Sequence, residues 1–124
     1  AEALEEQGIR VTVINPRFMK PLDRECILTH SMRCKKVITV EEHVLAGGFG
    51  SAVLELLNEN NVKNVDLVRI GIPDTFVEHG KPDQLKAKYG LTVDSLISKA
   101  LDMLGQYNHV RHMPGVRTGG SRAQ

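Results

Sequence analysis

The sequence predicts an α/β three-layer sandwich built on a mainly parallel sheet, and three observations carry that expectation. Arg10–Asn15, Lys36–Glu41 and Val65–Ile70 are β-branched runs of strand length. Segments with apolar residues at helical spacing lie between and after them. Gly8, Pro16, Asp23, Gly47–Gly50, Gly90 and Thr92 mark the joints with the residue types that stop, turn or cap an element. Strands alternating with helices pair in parallel, with crossover helices covering both faces of the sheet.

In chain order, Ala1–Gln7 is rich in helix formers and stops at Gly8. The Arg10–Asn15 strand follows, and Pro16 keeps it from continuing as an interior strand. Asp23 caps a short helix through about Ser31 that turns Ile27 and Leu28 inward. The Lys36–Glu41 strand runs into Glu42, His43 and the Gly47-Gly48-Phe49-Gly50 turn. A helix over Gly48–Asn58 then carries Phe49, Ala52, Val53, Leu56 and Leu57 on one face and ends in the Asn58–Asn61 polar cluster. After the Val65–Ile70 strand, Pro73 and Asp74 open a loop. Lys81-Pro82 starts a helix closed by Gly90, and Thr92 caps a last helix with Val93, Leu96, Ile97, Ala100, Leu101 and Leu104 on one face.

With 124 residues, 41% of them hydrophobic and 25% charged, the chain has the composition of one soluble globular domain. No apolar run reaches the ~18 residues of a membrane span, and the acidic start is unlike a targeting peptide, so a cytoplasmic protein without membrane contact is expected. Cys26 and Cys34 read as reduced thiols in a domain large enough to do without a disulfide. Residues 105–124 hold Arg111, Arg117 and Arg122 with no acid, which makes them a basic tail on a mildly acidic body, 1–104. The tail is polar and aperiodic, so disorder is expected. Three spaced arginines are too thin an electrostatic footprint for a nucleic-acid arm.

The strand–turn–helix unit at Val37–Gly50 is the natural place to look for function, because ligands and partner domains gather beyond the carboxyl ends of parallel strands. Glu41 and Glu42 are adjacent on a strand, so their carboxyls point to opposite faces and do not form an acid–base dyad. A loop anchor or a contact to another domain suits them better. Gly48, Phe49 and Gly50 resemble a phosphate cradle at a helix N-terminus, yet the stretch matches neither dinucleotide nor P-loop pattern. A tight turn that lets the helix pack close to the sheet explains the glycines without a ligand. Cys26, His30 and Cys34 share a spacing of four, acceptable to zinc, but the helix is expected to fray before Cys34 and no fourth ligand is evident. His43 and His79 follow strands and read as loop hydrogen-bonding residues at the functional edge.

Three segments together resemble the C-terminal domain of the 1-deoxy-D-xylulose-5-phosphate synthases, transketolase-like thiamine diphosphate enzymes. They are Asn15-Pro16-Arg17-Phe18-Met19-Lys20-Pro21-Leu22-Asp23, then Thr39-Val40-Glu41-Glu42 with Gly47-Gly48-Phe49-Gly50-Ser51, and Gly71-Ile72-Pro73-Asp74-Thr75-Phe76-Val77-Glu78-His79-Gly80 with Tyr89-Gly90-Leu91-Thr92. The resemblance spans about residues 1–104. The middle segment is shared with 2-oxoacid dehydrogenase beta subunits, and the other two favour the synthases.

The resemblance implies a parent that joins pyruvate to D-glyceraldehyde 3-phosphate, with thiamine diphosphate and magnesium held by two other domains. This chain has no Gly-Asp-Gly motif and no counterpart of the cofactor-activating glutamate, so no catalytic, cofactor-binding or metal residue is assigned to it. A structural role follows, packing against the missing catalytic domains and supporting a homodimer in the cytoplasm, or in a plastid for a plant or algal source. Arg17, Lys20, Glu41, Glu42, His43, Gly48, Phe49, Gly50 and His79 are the expected interdomain or anion contacts. The family topology also implies a strand ahead of the first helix, lying in the sheet between Arg10–Asn15 and Lys36–Glu41. With that family strand lacking, the two flanking strands are expected to pair directly or to fill the gap by exchange with a second chain. A 2-oxoacid dehydrogenase beta-subunit domain and an independent phosphate- or nucleotide-binding module are the alternative readings.

Overall fold

The structure, a computed structural model, describes residues 1–75 and 81–105. Its elements in order are α1 (Glu2–Glu5), α2 (Arg24–Cys34), β1 (Lys36–Val44), α3 (Phe49–Glu59), β2 (Asp66–Ile72), α4 (Pro82–Lys88) and α5 (Val93–Met103). The tail expectation for 106–124 and the His79 expectation lie outside the described residues.

β1 and β2 pair in parallel as a two-stranded sheet, in register from Lys36↔Asp66 to Val40↔Ile70. The charged pair Lys36 and Asp66 sits side by side at the first rung. The crossover between them is α3, as the alternation of elements requires. Leu67 and Arg69 alternate toward α3, where Leu67 joins the core and Arg69 reaches Ser51. Val68 and Ile70 face the other way and share a groove with Tyr89, Ser95 and Lys99 from the α4–α5 region. Helices thus lie on both sides of a narrow parallel sheet.

The core is small. Ile27 of α2 meets Val53, Leu56 and Leu57 of α3, with Leu22, Leu28, Phe49, Val65 and Leu67 packed around them. These are the inward positions that helical spacing picks out. Asp23 caps α2 by accepting from the Cys26 amide at 3.1 Å, and Thr92 caps α5 by accepting from the Ser95 amide at 3.3 Å. Lys35, which ends α2, and Gly90, which follows α4, both take positive φ, the left-handed geometry that stops a helix.

Two expectations need correction. The Arg10–Asn15 strand is not formed: the stretch belongs to no element, and among the described residues no backbone-to-backbone hydrogen bond reaches it. Arg33 Nη2 donates to Thr12 Oγ1 at 3.2 Å, which ties the stretch to α2. A strand exists only when a second edge supplies its ladder, and here a groove of about 130 Å³ separates Thr12 and Ile14 from Val37–Thr39 of β1. The direct pairing of these two runs therefore does not occur. The second correction is to α2, which continues through Cys34 rather than fraying at Ser31.

α5 has the apolar spacing of a packed helix, yet none of its residues is buried, and Val93 is 67% exposed. The core rests instead on α2 and α3. Leu56→Ala, which opens a cavity where α3 meets that core, should cost about 3 kcal/mol in urea unfolding, whereas Val93→Ala should cost under about 0.5 kcal/mol.

Candidate functional site at the Glu41 turn

The register of the sheet breaks between Val40 and Val44, where Glu41, Glu42 and His43 stand opposite Gly71 alone. Extra residues on one strand form a bulge, which bends the strand and re-aims its side chains. Glu41 is left 7% exposed and faces α3, while Glu42 and His43 are exposed. The two carboxyls diverge, as strand alternation demands.

Glu41 Oε2 accepts from the Phe49 amide at 2.7 Å and Oε1 from the Gly50 amide at 3.0 Å. These are the first two amides of α3, which have no partner inside the helix. The preceding residue, Gly48, has no side chain to cap them, so β1 supplies the cap from across the turn. Burying a carboxylate is costly unless its oxygens are satisfied, and here two charge-assisted bonds and the positive end of the helix dipole do so.

The glycines follow from this contact. A Cβ at Gly48 would collide with the Glu41 carboxylate and lie 2.6 Å from the Val44 carbonyl oxygen. One at Gly71 would lie 2.9 Å from Glu41 Cγ. One at Gly50 would lie 2.5 Å from Thr39 Oγ1 and 2.9 Å from the Arg69 stem. Gly47 takes φ +68°, where the chain reverses into the helix. Arg69 then closes the turn from β2: Nη1 donates to Ser51 Oγ at 2.7 Å, and the Ser51 hydroxyl donates to the Leu45 carbonyl at 2.6 Å. Thr39 Oγ1 is buried beside this network without a hydrogen-bond partner.

The glycine turn does bind an anion, and that anion is Glu41 of the same chain. An external phosphate at the Phe49 and Gly50 amides would have to displace it, so the phosphate- or nucleotide-module reading loses its site. Among the described residues no three His, Cys, Asp or Glu side chains are grouped to hold a metal. Cys26, His30 and Cys34 share α2, but the Arg33 guanidinium lies 3.2 Å from His30 Nδ1 and sets a positive charge where a cation would go.

On the outer side of the bulge, Glu42 Oε1 meets Lys86 Nζ of α4 at 2.7 Å. The hydrogen bond from Lys86, reinforced by its charge, holds the Glu42 carboxyl below its ordinary value of 4.5. The same bond holds the Lys86 ammonium above 10.5. Arg17 and Lys20 lie elsewhere, exposed in the 16–22 loop and lining separate grooves that contain no part of the turn. Of the sequence candidates, the fold brings together Glu41, Gly48, Phe49 and Gly50, with Glu42 and His43 on the outer rim. Sequence reasoning missed Arg69, Ser51 and Lys86. Arg69 carried one visible signal, a cation in the middle of an apolar strand.

A description of the family "Transketolase, C-terminal domain" matches residues 1–96. The chain belongs to the transketolase C-terminal domain family. Among similar proteins, the 1-deoxy-D-xylulose-5-phosphate synthase of Halothermothrix orenii is 45% identical over 115 residues, 93% of this chain and 18% of that protein. The synthase of Desulforudis audaxviator is 53% identical over 100 residues, 81% of this chain and 16% of that protein. A solved structure described as "Split gene transketolase, inactive beta4 tetramer" superimposes with TM-score 0.75 at 36% identity, covering 86% of this chain and 34% of the other. The chain thus spans under a fifth of the length of these synthases, and its match is to their C-terminal domain.

Two outcomes test the turn. Glu41→Gln places an NH₂ against an amide that needs an acceptor and should cost about 2 kcal/mol in chemical denaturation. Gly48→Ala should cost a similar amount, and the double variant less than the sum, because both act on one contact. The Glu42–Lys86 tie has a pH signature. Glu42's contribution is full above 4.5 and fades as pH falls through its depressed value. Lys86's is full below 10.5 and fades as pH rises through its elevated value. The protection of the Asp83–Lys88 amides against exchange, taken relative to their intrinsic rate at each pH, should fall at both ends of that window, and high salt should mimic the effect at neutral pH.

Proposed function

We propose that this chain is the C-terminal domain of a 1-deoxy-D-xylulose-5-phosphate synthase. The whole enzyme then condenses pyruvate with D-glyceraldehyde 3-phosphate to 1-deoxy-D-xylulose 5-phosphate and CO₂, a transketolase-type transfer serving isoprenoid and thiamine biosynthesis in the cytoplasm. Thiamine diphosphate and magnesium supply the carbanion chemistry in that enzyme, on domains other than this one. The observation that carries the reading is the 45–53% identity to synthases along most of the chain. The 2-oxoacid dehydrogenase alternative has no comparable support among these relatives.

The domain's own role is structural: it packs on the catalytic domains and supports the homodimer. The filled Glu41 turn supports this, since the amides best placed for an external anion are already used. Glu42, His43 and Val44 are exposed on the outer side of the bulge, a rigid edge suited to a domain contact. Among the described residues no helix is long and apolar enough to cross a membrane.

Calorimetric titration of the chain with thiamine diphosphate and magnesium should give no saturable heat. Micromolar, magnesium-dependent binding would overturn the structural assignment.

A further inference from the structure

Where the 16–22 loop enters α2, a groove of about 280 Å³ opens between that loop and α3, and its two walls carry opposite charge. Lys20 of the loop and Arg24 of α2 stand on one wall, Glu55 and Glu59 of α3 on the other. Half-buried Leu22 and buried Leu56 give the groove an apolar base. Arg24 and Glu59 bridge the walls at 3.3 Å. Lys20 and Glu55 are exposed, and among the described residues neither has an ion-pair or hydrogen-bond partner. One cation and one carboxylate thus face solvent on opposite walls, unpaired within the molecule.

Apolar surface accompanies the free charges. Met19 lines the cationic wall at 42% exposure, and Phe18 before it is 69% exposed. Aromatic and Met side chains next to charged groups are the make-up of an interface centre and its rim. No lining residue belongs to β1, β2 or Arg10–Asn15, so the groove is separate from the sheet edges and from the place of the family strand. We propose that two copies of this chain associate across this groove about a two-fold axis. Met19 of each enters the groove of the other, and Lys20 of each meets Glu55 of the partner subunit. The pairing rests on the homodimer role proposed above and gives that role a surface.

A second copy is the occupant because the patch is complementary to itself. A two-fold rotation lays the cationic wall of one molecule on the acidic wall of the other, and does so twice. Each surface is then used once and the pair is closed. A uniformly acidic partner, by contrast, is repelled by Glu55 and Glu59, and a uniformly basic one by Lys20 and Arg24.

Sedimentation of the full 124-residue chain from low micromolar to submillimolar concentration should show a monomer–dimer equilibrium that weakens as salt rises. Lys20→Glu and Glu55→Lys each set like charges against one another in the pair, and each should weaken association about thirtyfold. Both positions are exposed, so the circular dichroism should not change. An equimolar mixture of these two variants should associate as tightly as the unsubstituted chain, because every opposed pair then joins a carboxylate to an ammonium. Met19→Asp should weaken association about tenfold, and Val93→Asp on α5 should leave it unchanged. A monomer at every concentration overturns the proposal. A dimer insensitive to both charge reversals overturns it too, while keeping the homodimer role on another surface, and so does a mixture that fails to restore association. Thiamine diphosphate binding in the titration above would sink the structural assignment whatever the sedimentation result.

Discussion

The interaction on which the rest of this fold depends is the pair of hydrogen bonds from the Phe49 and Gly50 amides to the Glu41 carboxylate. It joins the end of β1 to the start of α3, and so fixes the angle at which α3 crosses to β2. Val53, Leu56 and Leu57 reach Ile27 only because α3 begins at that point and in that direction. A charge is placed in the interior to do this, which is stable because the helix terminus presents two donors and a positive dipole to it. Glycines at 48, 50 and 71 follow, since each lies where a side chain would strike Glu41 or its neighbours Val44, Thr39 and Arg69.

The same arrangement separates two roles that adjacent residues seem to share. The bulge at Glu41–His43 sends Glu41 inward as a cap and Glu42 outward, where it meets Lys86 and tethers α4. One residue is committed to holding the turn and the other to the surface above it. The Phe49 and Gly50 amides of the turn are thus occupied from within the chain.

Packing is uneven across the molecule. α2, α3 and the sheet share the buried core, whereas α5, the free edge of β1 and the Arg10–Asn15 stretch keep apolar or unpaired groups at the surface. Val13, Val40 and Val93 would be inward residues in a wider sheet with both faces fully covered; here each is exposed. The surface is thus rich in apolar positions that gain by association.

Local chemistry made much of this legible in the sequence. Asp23 and Thr92 read as helix caps, Lys36–Glu41 and Val65–Ile70 as parallel strands, and Val53, Leu56 and Leu57 as a buried face, because these depend on spacing and on groups a few residues apart. The divergence of Glu41 and Glu42 was also readable, since alternation along a strand is a local rule. Arg10–Asn15 shows where that legibility ends: its residues have the propensity for a strand, but a strand is a property of two edges, and the neighbouring edge stands a groove away. The target of Glu41, the latch from Arg69 to Ser51 and the Glu42–Lys86 tie were likewise settled only by the tertiary structure. Each joins groups eight or more residues apart, whose meeting is set by the bulge and the helix crossing rather than by any pattern in the chain.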